Sequence, residues 1–167
     1  MSATIKCQFN SNFTQSLTMT QNTLVLIKPD AVQRGLVGKI ISRIERKGLK
    51  IIAIKMMQVT QELARRHYAE HIEKPFYPAL EQYITDSPIV AMIVSGPDAI
   101  AVVRLMVGTT NGLTATSGTI RGDFSTSNRF NLIHASDSET SAEREATTFF
   151  DASEILDYDL TLAGWFS

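Results

Sequence analysis

The chain contains three histidines, His67, His71 and His134. Imidazole is the side chain best suited to nucleophilic or proton-transfer work near neutral pH, so these are the first candidates for chemistry. His67 and His71 lie four residues apart in a stretch that reads as helix, a spacing that can hold a metal ion. No third ligand accompanies them in a recognisable pattern, and the pair reads instead as ordinary, partly exposed helix histidines. His134 has a different setting: Leu132-Ile133 precedes it and Ala135-Ser136-Asp137-Ser138 follows. A histidine at the end of a buried strand, ahead of small polar residues, sits on a rigid element facing a concave edge. By itself the same pattern suits a buried histidine satisfied by a hydrogen bond.

The cations supply context. Lys28 directly follows an apolar run, Arg104 precedes a long polar loop, and Arg121 follows that loop in Gly118-Thr119-Ile120-Arg121-Gly122-Asp123-Phe124. Singly, each reads as a solvated surface charge. Together, at element ends around one loop, they make a shared anion site. Arginine's planar fork suits a polyphosphate, to which it gives paired, charge-assisted hydrogen bonds. A Walker A loop is excluded. The Gly35-Leu36-Val37-Gly38-Lys39-Ile40 stretch lacks that motif's glycine spacing and the Ser or Thr after lysine that would hold Mg²⁺. A Rossmann fingerprint is absent as well.

The elements that position these residues follow from periodicity. Thr23 to Ile27 is a β-branched apolar run that stops at Pro29, a buried strand and then a turn. Ile40, Ile41, Ile44 and Leu49 recur at helical spacing, with Gly48 as a stop. Lys50 to Val59 reads as a strand, and Thr60 caps a helix running to about His71. Pro75 and Pro78 bracket a turn, and Leu80 to Thr85 is a short helix. Ile89 to Val94 is a strand, and Ala99 to Val107 is a helix ended by Gly108. Thr109 to Gly118 is a loop of functional length. Asn131 to His134 is a strand end, and Ser141 to Phe150 a helix with Thr140 and Glu143 at capping-box spacing. That order is the βαββαβ pattern of a ferredoxin-like α+β sandwich, an antiparallel sheet with helices, with additions and a C-terminal extension.

Composition bounds the rest. The 167 residues suit one domain, with 44% hydrophobic and 20% charged residues. The division read is a polar N-terminal extension over 1–21, poorly ordered, and one folded domain over 22–167, with Met19 a possible alternative start. A net charge of −1 offers no general attraction to nucleic acid or to anionic membrane. The single cysteine, Cys7, excludes an internal disulfide and suits a reducing compartment. With no secretory signal and no spanning apolar run, the expected location is the cytoplasm.

Several blocks, in order, resemble the nucleoside diphosphate kinase family. They are Ile27-Lys28-Pro29-Asp30-Ala31-Val32-Gln33-Arg34-Gly35-Leu36-Val37-Gly38, His67-Tyr68, Lys74-Pro75-Phe76-Tyr77, Gly118 to Phe124, and Asn131-Leu132-Ile133-His134-Ala135-Ser136-Asp137-Ser138. The likeness runs from about Thr23 to Trp165. It implies that a γ-phosphate passes from a nucleoside triphosphate to a nucleoside diphosphate in ping-pong fashion, through a phosphohistidine on His134 Nδ1. Glu145 resembles the carboxylate on the other ring nitrogen, and Ser136 the supporting hydroxyl. Lys28, Tyr68, Arg104, Thr110, Arg121 and Asn131 resemble the ligands of phosphates and sugar, and Phe76 the aromatic under the base. Mg²⁺ is implied as cofactor, held mainly by the phosphates, with Asp137 reaching it through water. A homo-oligomer is implied too, a hexamer ahead of a tetramer. The alternative is a non-catalytic nucleotide-binding or interaction module on the same fold, which would be expected to lose the histidine or the cations. A ferredoxin-like nucleic-acid binder ranks last, for want of sheet aromatics and basic charge. Two departures concern the backbone: Ala135 stands where glycine is common, and Gly112 and Ser117 stand where the family usually has proline.

Overall fold

The apolar run beginning at Leu24 becomes the middle of a sheet because none of its side chains prefers water. In the computed structural model, which describes residues 20–161, β1 (Thr20–Ile27) buries Leu24, Val25, Leu26 and Ile27 completely. With β2 (Lys50–Met57), β3 (Ile89–Pro97) and β4 (Ile133–Ala135) it forms a sheet of order β2-β3-β1-β4. All neighbouring strands are antiparallel. This is the ferredoxin-like α+β arrangement expected from the element order.

Both faces of the sheet are covered. On one, Val25 and Ile27 pack with Ile40 and Ile44 of α2 (Val37–Arg46) and with Val103 and Val107 of α5 (Ala99–Val107). On the other, Leu24 and Leu26 meet Ala64 of α3 (Gln61–His67), Ile84 of α4 (Tyr77–Asp86) and Phe149 of α7 (Glu139–Phe149). An antiparallel sheet with one wet face would alternate polar and apolar residues. Burial on both sides is why these strands read as unbroken apolar runs.

Several local readings shift. The corner after β1 is a short helix, α1 (Pro29–Gln33), with Pro29 at its first position, where a missing N–H costs nothing. Thr60 does cap α3, accepting from the Leu63 N–H, but α3 ends at His67, and Ala69–His71 is a separate 3₁₀ turn. α4 begins three residues before Leu80, with Pro78 in its first turn. α7 is capped by Ser138, which accepts from the Ser141 N–H; Thr140 and Glu143 do not form the expected capping box. The segment after the long loop, to which periodicity assigned no element, is α6 (Ile120–Phe124), capped by Thr119.

The C-terminal segment lies along the free edge of β2. The β2–β3 ladder is irregular between Ile51 and Ala53, and the Ile52 carbonyl there accepts from the Leu156 N–H at 2.8 Å. The Tyr158 hydroxyl donates to the Ile51 carbonyl at 2.7 Å. An edge that would otherwise present unpaired backbone groups is thereby partly covered. Residues 1–19, which hold Cys7, Met19 and nearly all of the polar extension, lie outside the described residues, as do Trp165 and Phe166; Thr20 and Gln21 already belong to β1. Among the described residues no helix is long and apolar enough to cross a membrane.

Candidate active site

β4 is three residues long and carries His134 at its centre, paired with Leu26 of β1. The approach to it is held under backbone strain. Leu132 has φ 70°, in the left-handed region that side chains other than glycine seldom adopt. The Lys28-Pro29-Asp30 corner holds it there. Lys28 N–H donates to the Leu132 carbonyl at 2.8 Å, and the Leu132 N–H donates to Asp30 Oδ2 at 3.1 Å. The other Asp30 oxygen accepts from the Tyr83 hydroxyl at 2.5 Å. The corner that seemed only to end a strand therefore fixes the backbone two residues before His134.

The ring of His134 is oriented from α7. Its Nε2 lies 2.8 Å from Glu145 Oε2, and the Ser136 hydroxyl donates to the same oxygen at 2.7 Å. Ser136 Oγ also accepts from the Leu24 N–H, which locks it to β1. Burial works against a charged Glu145, but the hydrogen bond and charge of His134, together with Ser136, outweigh it and hold the carboxyl below its ordinary range. An ionised carboxylate only accepts, so Nε2 must carry the donated proton. The neutral imidazole then keeps its lone pair on Nδ1, the nucleophilic tautomer.

The cations converge on the same place. Lys28 is 8% exposed and donates to Asn131 Oδ1 at 2.7 Å. Arg121 is 4% exposed and grips three carbonyls: Asn131 through Nε, Gly108 through Nη1 and Ile133 through Nη2. Arg104 reaches the Ala135 carbonyl at 3.5 Å. A hollow of about 370 Å³ is lined by these three cations and by Tyr68, Thr110, Asn131, His134, Asp137 and Glu145. A second hollow, about 450 Å³, shares Lys28, Tyr68, Thr110, Asn131 and His134 and turns apolar through Phe76, Leu80 and Tyr83. Three cations around a histidine, two of them buried and bonded, suit a chain of phosphates. An aromatic-lined annex suits a flat, partly apolar group.

A family model described as nucleoside diphosphate kinase matches residues 21–155. The chain belongs to the nucleoside diphosphate kinase family. A nucleoside diphosphate kinase of Rhodopirellula baltica is 58% identical over 142 residues, covering 85% of this chain and 93% of that protein. A halophilic nucleoside diphosphate kinase from Halobacterium salinarum, solved in complex with CDP, superposes with a TM-score of 0.88 at 45% identity, over 89% of this chain and 99% of its own. A nucleoside-diphosphate kinase from Borrelia burgdorferi, solved as a transition state mimic with bound vanadate and ADP, gives a TM-score of 0.83 at 37% identity, over 89% and 98%.

In this member of the nucleoside diphosphate kinase family, each residue singled out by resemblance lines one of the two hollows or, as Ser136 does, bonds to a residue that does. Phe76 stays 53% exposed. His67 departs from expectation. It is not a surface helix histidine: it is 7% exposed, and its ring stands edge-on to that of His134 with centroids 4.8 Å apart. It does not pair with His71 as a metal site, because α3 ends between them. Helical spacing could not reveal this; the one available signal was His67 next to Tyr68 in a matched block.

The long loop also explains one of its missing prolines. The Gly112 N–H donates to the Ser127 carbonyl at 3.1 Å, and a Cβ there would meet the Ser125 carbonyl oxygen at 2.5 Å. Proline could neither donate nor fit. Gly112→Pro, a change toward the family pattern, is expected to destabilise the chain by roughly 2 kcal/mol or more. Urea unfolding checks this; a stabilised variant would show that the loop does not depend on this contact. Gly122 also packs against this loop, where an added Cβ would clash with the Thr116 carbonyl oxygen.

Proposed function

We propose that this chain is a working nucleoside diphosphate kinase in which His134 Nδ1 carries the phosphate between nucleotides. The observation that carries the reading is the Ser136–Glu145–His134 chain, which leaves Nδ1 as the free nucleophilic nitrogen beside three cations. In the first half-reaction the Nδ1 lone pair attacks the γ-phosphorus of a nucleoside triphosphate. An N–P bond forms, the bridging P–O bond breaks, and its electron pair leaves with the nucleoside diphosphate. The Nε2 proton stays on the ring, and the Glu145 carboxylate stabilises the charge the ring acquires. In the second half-reaction a terminal oxygen of another nucleoside diphosphate attacks the phosphorus and the N–P bond breaks. Lys28, Arg104 and Arg121 hold the phosphate oxygens in line and offset the charge that spreads over them.

Mg²⁺ is the proposed cofactor, and the donors fit it. Among the described carboxylates in the polar hollow, Glu145 is held by His134 and Ser136, and Glu70 by Arg144, which leaves Asp137. The Asp137 carboxyl is held below its usual range, chiefly by the Ser141 hydroxyl, so it is charged. One carboxylate suits an ion bound mostly by substrate phosphates and water, where it neutralises phosphate charge. Phe76 offers a base only its aromatic face, so tolerance of the base is expected. Steady-state transfer from ATP to GDP, UDP and CDP tests this reading. Parallel double-reciprocal lines for each acceptor, with similar kcat/KM, are expected; intersecting lines would remove the covalent intermediate.

Lys28 gives this function a pH dependence. Burial, and then Arg121, push its ammonium from 10.5 down to about 8, with Asp30 opposing. Between those values the folded protein has shed a proton that the unfolded chain keeps, so this group's contribution to stability rises with pH across that window. Phosphate binding runs the other way, because it needs the ammonium. Nucleoside diphosphate affinity is expected to fall above pH 8, by up to about tenfold per pH unit, with proton uptake on binding. Calorimetry in buffers of different ionisation enthalpy measures that uptake, and Lys28→Gln should abolish it.

A homo-oligomer, a hexamer ahead of a tetramer, is part of the same proposal. Ile54 and Met56 on β2 and Leu156 beside it are all more than half exposed, an apolar strip suited to a second copy. The lone cysteine supports a reducing compartment, the cytoplasm.

A further inference from the structure

His67 has no role in the transfer just described, yet it lies against the nucleophile. Both its ring nitrogens are buried without a hydrogen-bond partner, although buried polar groups are nearly always satisfied. Its surroundings are aromatic: Tyr68 and Phe149 meet the ring at 4.4 and 5.1 Å between centroids, and His134 at 4.8 Å. Neither ring nitrogen is engaged by a protein group, so a lone pair is left for a ligand. One donor atom each from His67, His134 and Glu145 lies within 4.8 Å of the other two.

We infer that His67, His134 and Glu145 form a binding site for a borderline-soft divalent cation of the Zn²⁺ class, and that its occupation silences the nucleophile. Two imidazole nitrogens and one carboxylate oxygen are a zinc-type donor set, whereas Mg²⁺ selects oxygen. Zn–N bonds of about 2.0–2.1 Å require donors roughly 3.4 Å apart. The His134 Nε2 to Glu145 Oε2 gap of 2.8 Å must open slightly, and the ring of His67, tied by no hydrogen bond, must turn in.

The chemistry of inhibition is a change of tautomer. The ion takes the lone pair of His134 Nε2, and the single ring proton passes to Nδ1. The ring stays neutral, Glu145 stays ionised and nothing is oxidised or reduced. An Nδ1 that bears a proton has no lone pair with which to attack phosphorus. Binding is independent of the role of His134 in transfer; the inhibition rests on it.

The test uses the full-length chain without nucleotide, labelled with ¹⁵N and followed at its histidine ring nitrogens. One equivalent of Zn²⁺ is expected to shift the signals of His67 and His134 and to leave His71, which lies outside the cluster, unmoved. If the signals of His67 and His134 stay put while Zn²⁺ is bound, as at Cys7 or His71, the site does not exist. Chelator competition is expected to show saturable Zn²⁺ binding lost in His67→Gln and in Glu145→Gln; unchanged affinity in both would overturn the assignment. Phosphoryl uptake from excess MgATP at buffered free Zn²⁺ is expected to slow in proportion to occupancy. Undiminished uptake by the Zn²⁺-bound protein would overturn the silencing.

Discussion

His134→Gln will give a folded protein that still binds nucleotide and transfers no phosphate. Glutamine can keep a donor directed at Glu145, and the His134 side chain is already 23% exposed, so little packing is lost. A stability change within about 1 kcal/mol is expected. The cations proposed to hold phosphate are untouched, because none of them is bonded to His134. What disappears is the only nitrogen lone pair that Glu145 and Ser136 orient toward the hollow. Turnover should fall by on the order of 10⁴-fold or more, since a group acting as the covalent nucleophile has no substitute nearby. Both ring nitrogens of His67, the adjacent imidazole, are buried. Turnover measured beside nucleotide affinity in one preparation separates lost chemistry from lost binding, and surviving turnover would remove His134 from its role.

Arg121→Ala will damage both the site and the fold. A guanidinium has five N–H donors, and the Asn131, Gly108 and Ile133 carbonyls take three of them. Two donors remain, and Arg121 lines the hollow. Burial, and after it the neighbouring Arg104, lower its titration to about 10, which still leaves it charged at neutral pH. Truncation strips three carbonyls around the His134 strand of a charged donor and should cost about 3–5 kcal/mol of stability. It should also lower kcat/KM by on the order of 10²-fold, through the rate as well as through KM. Arg121→Lys restores the charge without the fork and should recover less than half of the lost stability. Chemical unfolding and steady-state kinetics on both variants check this; kinetics unchanged in Arg121→Ala would exclude Arg121 from phosphate binding.

The two predictions mark where sequence reasoning carries and where it stops. The strand end at His134 was legible from its block, but that pattern alone suited a buried histidine equally well, and its proposed role came from the resemblance to the family. The cations were legible as a set because each sits at an element boundary. Their work inside the fold was not. That Arg121 ties Gly108 to Asn131 and Ile133 depends on carbonyl positions set by distant segments, to which sequence spacing is blind. The clasp of Asp30 on Leu132 joins residues about a hundred positions apart and depends on a backbone angle that no local pattern specifies. Element types were readable and their ends less so. Ser138 outcompeted Thr140 as a cap because its extended backbone places the hydroxyl under the first free N–H groups of α7. Only the completed fold shows that α3, α4 and α7 cover the second face of the sheet, and this is what buries His67.

The most direct measurement follows the phosphate itself. Purified protein is incubated with Mg²⁺ and ATP labelled in its γ-phosphate, separated from nucleotide, and given unlabelled GDP. Acid-labile label on the protein that then moves to GDP is the predicted result. Intact, folded protein that takes up no label would contradict the phosphohistidine mechanism and leave a nucleotide-binding module on the same fold.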